Sequence, residues 1–167
     1  IADILPDLAA AYPDVAAITI DQLLGMQSGI PDYANTGLVI QQVVDDPTIE
    51  LTPSGIIDQV LTELDLEPAG TGGYSTTNYL ILGEMLVAID GRPVEEIINE
   101  VAAEAGLTSS ALGAPGDNTM PDPFSHGYVM QAGAGDLATL GATVEPGTDV
   151  TDWTVSWGGA GGGMYST

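Results

Sequence analysis

The chain has 167 residues, of which 44% are hydrophobic, and it carries 24 acidic residues against one basic residue, for a formal net charge of -23. This length suits one domain, and the apolar content is sufficient for a buried core, so we expect a folded chain rather than a disordered one. Because the sequence contains no Cys, a disulfide scaffold and a thiolate metal site are both excluded.

The charge balance excludes two classes of partner. Arg92 is the only base and there is no Lys, so the chain lacks the basic surface that nucleic acids and anionic membranes require. Membrane insertion is not expected either, because the most apolar stretch, residues 79–89, is too short and contains Glu84. Self-repulsion at this charge is relieved by salt, which indicates either a salt-loving source or an acidic secreted protein from an ordinary one.

No signal peptide is visible at the start of the sequence. The chain opens on Ile1, has no basic region and reaches Asp3 at once. We therefore expect a trimmed or internal piece of a longer protein.

Capping residues, a first-turn proline and closing glycines predict four helices in the first part of the chain. The first helix, residues 20–27, is capped by Thr19 and ends before Gly29, and the second begins with Thr52 as the cap and Pro53 in its first turn. The third helix, residues 75–89, is closed by Gly91, and the fourth lies between Pro93 and Gly106. Helical spacing places an apolar stripe inward on each of the last two. These stripes are Tyr79, Leu82, Leu86 and Ile89, and then Val94, Ile97, Ile98, Val101 and Ala105.

The remaining segments show little periodicity. Residues 30–47 are predicted to be a loop, and short strands are expected near residues 126–131 and 148–155. We predict a single unit over residues 1–167, with a helical body at 1–106 and a Gly/Pro-rich segment at 107–167 that lines a site. The fold class is mainly α with irregular segments.

His126 and the glycines of residues 158–163 are weak candidates for chemistry. One His cannot build a His-rich metal site, and no Gly-x-Ser-x-Gly pattern accompanies it for a catalytic triad. Ordinary polar packing is the better interpretation of His126. Without Lys the glycines cannot form a phosphate loop, which favours a tight turn or backbone crowding.

Acidic pairs could in principle hold a cation through oxygen ligands alone. No spacing matches a calcium loop, so solvated surface acids are favoured and no metal or other cofactor is predicted. The pairs in question are Asp45 with Asp46, and Asp149 with Asp152.

The segment Gly72–Tyr79 is the strongest candidate site. It places Tyr74, Ser75 and Thr76 at a helix start directly after flexible glycines, where the helix dipole favours negative charge. The competing interpretation is that Ser75 or Thr76 simply caps the helix.

Several segments in order resemble the serine β-lactamase-like superfamily, and within it class C β-lactamases, related esterases and D-alanyl-D-alanine carboxypeptidases. They are Ile18–Leu24, Ser28–Tyr33, Tyr74–Tyr79, Gly91–Pro93, Ala105–Leu107, His126–Tyr128, Thr154–Trp157, Gly159–Gly162 and Ser166–Thr167. The resemblance implies the helical subdomain of the α+β serine β-lactamase/DD-peptidase-like fold. It also implies secretion to the cell envelope or beyond.

The resemblance implies an acyl-transfer enzyme. In this family a Ser, activated by a Lys one helical turn later, attacks a carbonyl and forms an acyl-enzyme, while the Tyr of the Tyr-x-Asn motif relays the proton. By position that Tyr is Tyr74, Thr76 takes the place of the motif's Asn as a substrate contact, and Trp157 lines the cleft. A core Trp is an equally good interpretation of Trp157.

This chain departs from the family pattern in three ways. Thr76 replaces the Asn, and the sequence contains neither a Ser-x-x-Lys nor a Lys-Thr-Gly or His-Thr-Gly segment. We therefore expect part of a secreted serine hydrolase that acts on a small-molecule or peptide acyl substrate. It would be inactive alone and completed by the remaining part of its own domain. The alternative is a non-catalytic binding or assembly module derived from that fold.

Overall fold

A computed structural model describes residues 1–166 of the protein, and it is built from short helices joined by turns and irregular segments. The helices are α1 (Pro6–Ala11), α2 (Ile20–Leu24), α3 (Leu38–Asp45), α4 (Pro53–Glu63), α5 (Thr76–Asp90), α6 (Val94–Glu104), α7 (Gln131–Thr139) and α8 (Gly159–Gly162). Strands β1 (Ala111–Leu112) and β2 (Met164–Tyr165) pair antiparallel. This architecture confirms the predicted fold class.

The hydrophobic core lies where α4 and α5 pack against each other. Burial of large aliphatic side chains from both helices supplies the main driving force for folding. Those least exposed to solvent on the two helices are Ile56, Ile57, Val60, Leu80 and Ile81. Tyr33, from the loop before α3, reaches the same core and is also almost fully buried.

The predicted caps are confirmed. Thr19 forms a capping box, since its Oγ1 accepts a hydrogen bond from the Gln22 N–H at 3.2 Å while its own N–H donates to Gln22 Oε1 at 2.9 Å. Thr52 Oγ1 accepts from the Gly55 N–H at 3.2 Å. The predicted end of the first helix is wrong, because α2 stops at Leu24 and Met26 adopts a left-handed φ of 55°.

The inward face predicted for α5 is wrong. Tyr79, Leu86 and Ile89 are 37%, 41% and 68% exposed, whereas the opposite face, centred on Leu80 and Ile81, is buried. The helix is apolar on nearly every side, so periodicity alone could not identify the buried face. The buried face of α5 is set by α4 and α8, which pack against its Leu80 side.

The inward stripe predicted for α6 is also wrong in part. Val101 is 61% exposed, Ala105 is exposed, and Ala102 is the helix's buried residue. Four further helices, α1, α3, α7 and α8, lie where the sequence analysis predicted none. α3 begins after Gly37, whose left-handed φ of 79° turns the chain out of the preceding loop.

The two short strands predicted in the second part of the chain lie side by side. The Val129 N–H donates to the Thr148 carbonyl at 2.9 Å, and the Val150 N–H donates to the Gly127 carbonyl at 2.8 Å. Regular pairing is limited to an antiparallel bridge between Tyr128 and Asp149. Over residues 1–166 no helix combines the length and apolarity needed to cross a membrane.

Candidate functional site

Two loops that are distant in sequence meet at the N-terminal turn of α5. Ser28 Oγ donates a hydrogen bond to Asn78 Oδ1 at 2.6 Å, and Asn78 Nδ2 donates to the Leu23 carbonyl at 3.1 Å. Ser28 and Asn78 are both buried, so these bonds are shielded from water and are costly to leave unmade. They fix the segment 28–33 against the start of the helix.

The Pro31 carbonyl forms a second connection between the two loops. It accepts hydrogen bonds from Thr77 Oγ1 at 2.6 Å and from Ser75 Oγ at 3.1 Å. Thr77 Oγ1 in turn accepts from the Tyr33 N–H at 3.2 Å. The hydroxyls around the helix start therefore bind the neighbouring loop.

The capping interpretation of Ser75 and Thr76 is wrong. Ser75 occupies the N-cap position of α5 but makes no side-chain capping bond. The acceptor for the Thr76 N–H is instead Asp32 Oδ1, at 3.1 Å, from 44 positions earlier in the chain. Sequence reasoning missed Asp32, although its place before Tyr33 in the turn is typical of a side chain that caps a neighbouring N–H.

Tyr74 stands immediately before this anchored turn and is 69% exposed. The residues on either side of it are held by Met26, whose carbonyl accepts from the Gly73 N–H at 3.0 Å and whose Sδ accepts from the Ser75 N–H at 3.4 Å. Among the described residues no group bonds the Tyr74 hydroxyl. The backbone is thus fixed while the phenol is open to solvent and to a substrate.

Tyr33 is a second phenol near Tyr74, but it is a structural one. Its hydroxyl donates to the Trp157 carbonyl at 2.6 Å. Burial raises the pKa of Tyr33 strongly, and the charges of Asp32 and Tyr74 raise it further. Tyr33 therefore remains a neutral hydrogen-bond donor at physiological pH and ties residue 157 to the turn at residues 33–35.

Trp157 is half-buried and packs against the hydrophobic core. Its indole Nε1 donates to the Thr154 carbonyl at 3.1 Å. Because that bond uses the only donor of the ring, the indole has only apolar contact to offer a ligand. Its role as a cleft residue stays a prediction.

Thr76 lies under α8 and is 8% exposed. A Cβ atom added to Gly161 would come within 2.5 Å of Thr76 Cγ2, and one on Gly159, at a φ of 42°, within 2.8 Å of Leu80 Cδ2. Glycine is required at both positions because the α8 backbone rests directly on α5. The backbone crowding predicted for these glycines is confirmed. The substrate role of Thr76 stays a prediction, and any contact must use its small exposed fraction.

His126 lies exposed on the surface. Its ring stacks between Phe124 and Tyr128, with centroids 5.7 and 6.3 Å away, and its Nδ1 is 3.5 Å from Asp149 Oδ2. The pKa of Asp149 is lowered, first by hydrogen bonds from Thr151 and then by His126. In the described part of the chain, no three potential metal ligands cluster together.

A protein-family model described as Beta-lactamase matches residues 1–167. Solved structures with the same fold include D-amino acid amidase from Ochrobactrum anthropi SV3, with a TM-score of 0.73 and 23% identity over 98% of this chain and 43% of the amidase. A D-stereospecific amidohydrolase from Streptomyces sp. gives a TM-score of 0.70 and 24% identity over 89% and 43%. No curated protein sequence matches the chain.

A penicillin-binding protein from Bacillus halodurans has the same fold, with a TM-score of 0.68 and 22% identity over 98% of this chain and 47% of that protein. These likenesses confirm that the chain has the helical part of the serine β-lactamase-like fold. The chain spans less than half the length of each of these three structures.

Proposed function

Because the chain belongs to the beta-lactamase family, we propose that it forms part of a secreted serine hydrolase that works through an acyl-enzyme. The observation that carries this proposal is Tyr74, whose phenol is exposed while its backbone is anchored at the start of α5. It occupies the position at which the family's Tyr-x-Asn motif places its proton relay. The nucleophile and its Lys come from sequence outside this chain, which contains no Lys.

In the proposed reaction the nucleophilic Ser Oγ attacks the substrate carbonyl while its proton passes to the oxygen of Tyr74. The same proton then passes to the leaving nitrogen or oxygen as the carbonyl collapses to the acyl-enzyme. Water attacks the ester in a second step, and the proton follows the reverse route. Tyr74 thus ends each half-reaction in the same protonation state in which it began.

This relay requires a cation near the phenol. A free phenol has a pKa of about 10 and is a poor base at neutral pH. The single base of the chain cannot supply the charge, because Arg92 lies beyond the far end of α5 and pairs with Asp90 at 2.6 Å and Glu100 at 2.8 Å. The Lys that accompanies the nucleophile is therefore the group that would activate Tyr74.

Thr76 and Trp157 are the proposed substrate contacts. The Thr76 hydroxyl has no hydrogen-bond partner within residues 1–166, so it is available to a substrate carbonyl, although it is shorter than the amide of Asn. Trp157 offers apolar contact only. Two of the similar structures are named for amide hydrolysis, of D-amino acid amides in one case and of D-stereospecific substrates in the other. These names favour an amide over an ester as the substrate of the completed enzyme.

A non-catalytic binding or assembly module is the second candidate. Two observations favour it: Thr76 stands where the motif has Asn, and the sequence lacks the Lys that the mechanism needs. In that case the anchored turn at α5 would be retained only because it holds the helical body together.

Covalent labelling distinguishes the two candidates. The coding sequence on either side of this chain is read, the longer protein is expressed, and it is incubated with a fluorescent penicillin and with a p-nitrophenyl ester. We expect label on a Ser that precedes a Lys by one helical turn, located by peptide mass spectrometry, and no label on residues 1–167 expressed alone. A longer protein that reacts with neither probe and does not hydrolyse a D-amino acid p-nitroanilide would contradict the enzyme and favour the module.

A further inference from the structure

We propose that Asp32 is a positioning residue, which holds the first turn of α5 so that Tyr74 and Thr76 keep a fixed geometry. The inference rests on the proposed function for its catalytic meaning. Its structural part stands on the hydrogen bonds of the carboxylate alone.

Both carboxylate oxygens of Asp32 are in use. Oδ1 accepts hydrogen bonds from the Thr76 N–H at 3.1 Å and from the Ala34 N–H at 3.2 Å, and Oδ2 accepts from Asn35 Nδ2 at 2.6 Å. Asp32 is 9% exposed. One buried carboxylate therefore joins the turn at residues 33–35 to the start of α5, and charge-assisted bonds of this kind are stronger than neutral ones.

The helix needs this acceptor from outside. The first N–H groups of any helix have no partner within it, and Ser75 at the N-cap of α5 makes no side-chain capping bond. A negative charge at this end also interacts favourably with the helix dipole. Asp32 supplies both the acceptor and the charge.

The position of the bond connects Asp32 to the proposed chemistry. Thr76 follows Tyr74 by two residues, and its N–H is the group that Asp32 holds. Loss of the bond would free the Thr76 backbone and leave the segment around Tyr74 held only by Met26, and a displacement of about 1 Å in an active site can lower a rate by about 100-fold.

Three substitutions separate the acceptor from the charge. Asp32→Ala removes both, Asp32→Asn keeps an oxygen acceptor without the charge, and Asp32→Glu keeps the charge on a longer side chain. Glu96→Gln is the matched control, because Glu96 is an exposed acid in the first turn of α6. In residues 1–167 we expect the Thr76 amide proton to exchange about tenfold faster in Asp32→Ala and to change little in Glu96→Gln.

The catalytic part is tested on the longer protein by the rate of acylation with a fluorescent penicillin. We expect Asp32→Ala to lower the maximal rate by about 100-fold with a smaller change in half-saturating concentration, and Asp32→Glu to recover part of it. Unchanged exchange of the Thr76 amide, or an unchanged maximal rate in folded Asp32→Ala, would overturn the proposal. If Asp32→Ala does not fold, Asp32→Asn carries the same two readouts, with smaller expected changes because the oxygen acceptor remains and only the charge is lost; no change in either readout would then overturn the proposal. If the unaltered longer protein is not acylated, the proposed function fails. The exchange rate of the Thr76 amide proton then decides by itself whether Asp32 holds the start of α5.

Discussion

Ser28 and Asn78, which are 50 positions apart in the sequence, are joined by a buried hydrogen bond of 2.6 Å from the Ser28 hydroxyl to the Asn78 side-chain carbonyl. The Asn78 amide also donates to the Leu23 carbonyl, so α2, the loop after it and α5 meet at this one side chain. The bond explains why two of the segments that carry the family resemblance, Ser28–Tyr33 and Tyr74–Tyr79, act as one structural unit. It also makes the unit sensitive to the loss of a single hydroxyl.

We expect Ser28→Ala to lower the free energy of unfolding by about 1–3 kcal/mol, because the buried Asn78 oxygen loses its donor without gaining water. Urea denaturation measures the change. Ser109→Ala is the matched control, since Ser109 is exposed and its loss should stay within about 0.5 kcal/mol. Equal effects of the two substitutions would contradict this account of the loop.

The two faces of α5 give a second test. Leu80 is 1% exposed and Leu86 is 41% exposed on the same helix. We expect Leu80→Ala to cost about 2–5 kcal/mol of unfolding free energy, as for other buried leucines, and Leu86→Ala to cost much less. Thermal and urea unfolding of both variants report the difference. A larger loss for Leu86→Ala would mean that the face assignment is reversed.

Glu84 predicts a specific pH dependence of stability. Partial burial raises the pKa of Glu84, so the folded state binds its proton more tightly than the unfolded state does. The contribution of Glu84 to stability is therefore highest in acid. It declines as the pH rises from the pKa of Glu84 in the unfolded state through its higher pKa in the folded state. We expect Glu84→Gln to raise the melting temperature at pH 7 but not at pH 3.

The matched control for that substitution is Glu67→Gln, which removes a charge from an exposed loop position. It should reproduce only the general benefit of lowering the net negative charge. An equal gain from both variants at pH 7 would assign the effect to overall repulsion rather than to the burial of Glu84.

The net charge of -23 predicts that salt stabilises the fold. Repulsion between like charges is screened over about 10 Å at 0.1 M salt, so we expect the melting temperature to rise steeply between dilute buffer and a few tenths molar NaCl. KCl at the same ionic strength should act equally. If the melting temperature does not change with either salt, repulsion is not a major term in stability.

Local signals predicted three of the helix ends, those at Thr19, Thr52 and Gly91, and non-local contacts account for much of what the sequence analysis missed. Thr19, Thr52 and Gly91 act on neighbouring backbone groups, so their effect can be inferred from a few residues around them. The buried face of α5 could not be inferred, because a helix that is apolar all round takes its orientation from α4 and α8.

In the candidate site too, local signals were predictable from the sequence and contacts between distant residues were not. The pattern Tyr74–Tyr79 identified the helix start, and the resemblance supplied its proposed chemistry. Asp32 was missed because its partner, the Thr76 N–H, lies 44 positions away, and no local pattern specifies which distant backbone group a carboxylate will hold. Tyr33 was missed for a similar reason, since its acceptor is the Trp157 carbonyl.

The central claim is that Tyr74 relays the proton in acyl transfer, and the most direct measurement is the acylation rate of the longer protein carrying Tyr74→Phe. We predict a fall of about 100- to 10,000-fold, the usual contribution of general acid–base catalysis. Tyr79→Phe is the control, because Tyr79 is a partly exposed tyrosine on the same helix, and it should retain the full rate. A Tyr74→Phe protein that acylates as fast as the unaltered one would contradict the claim.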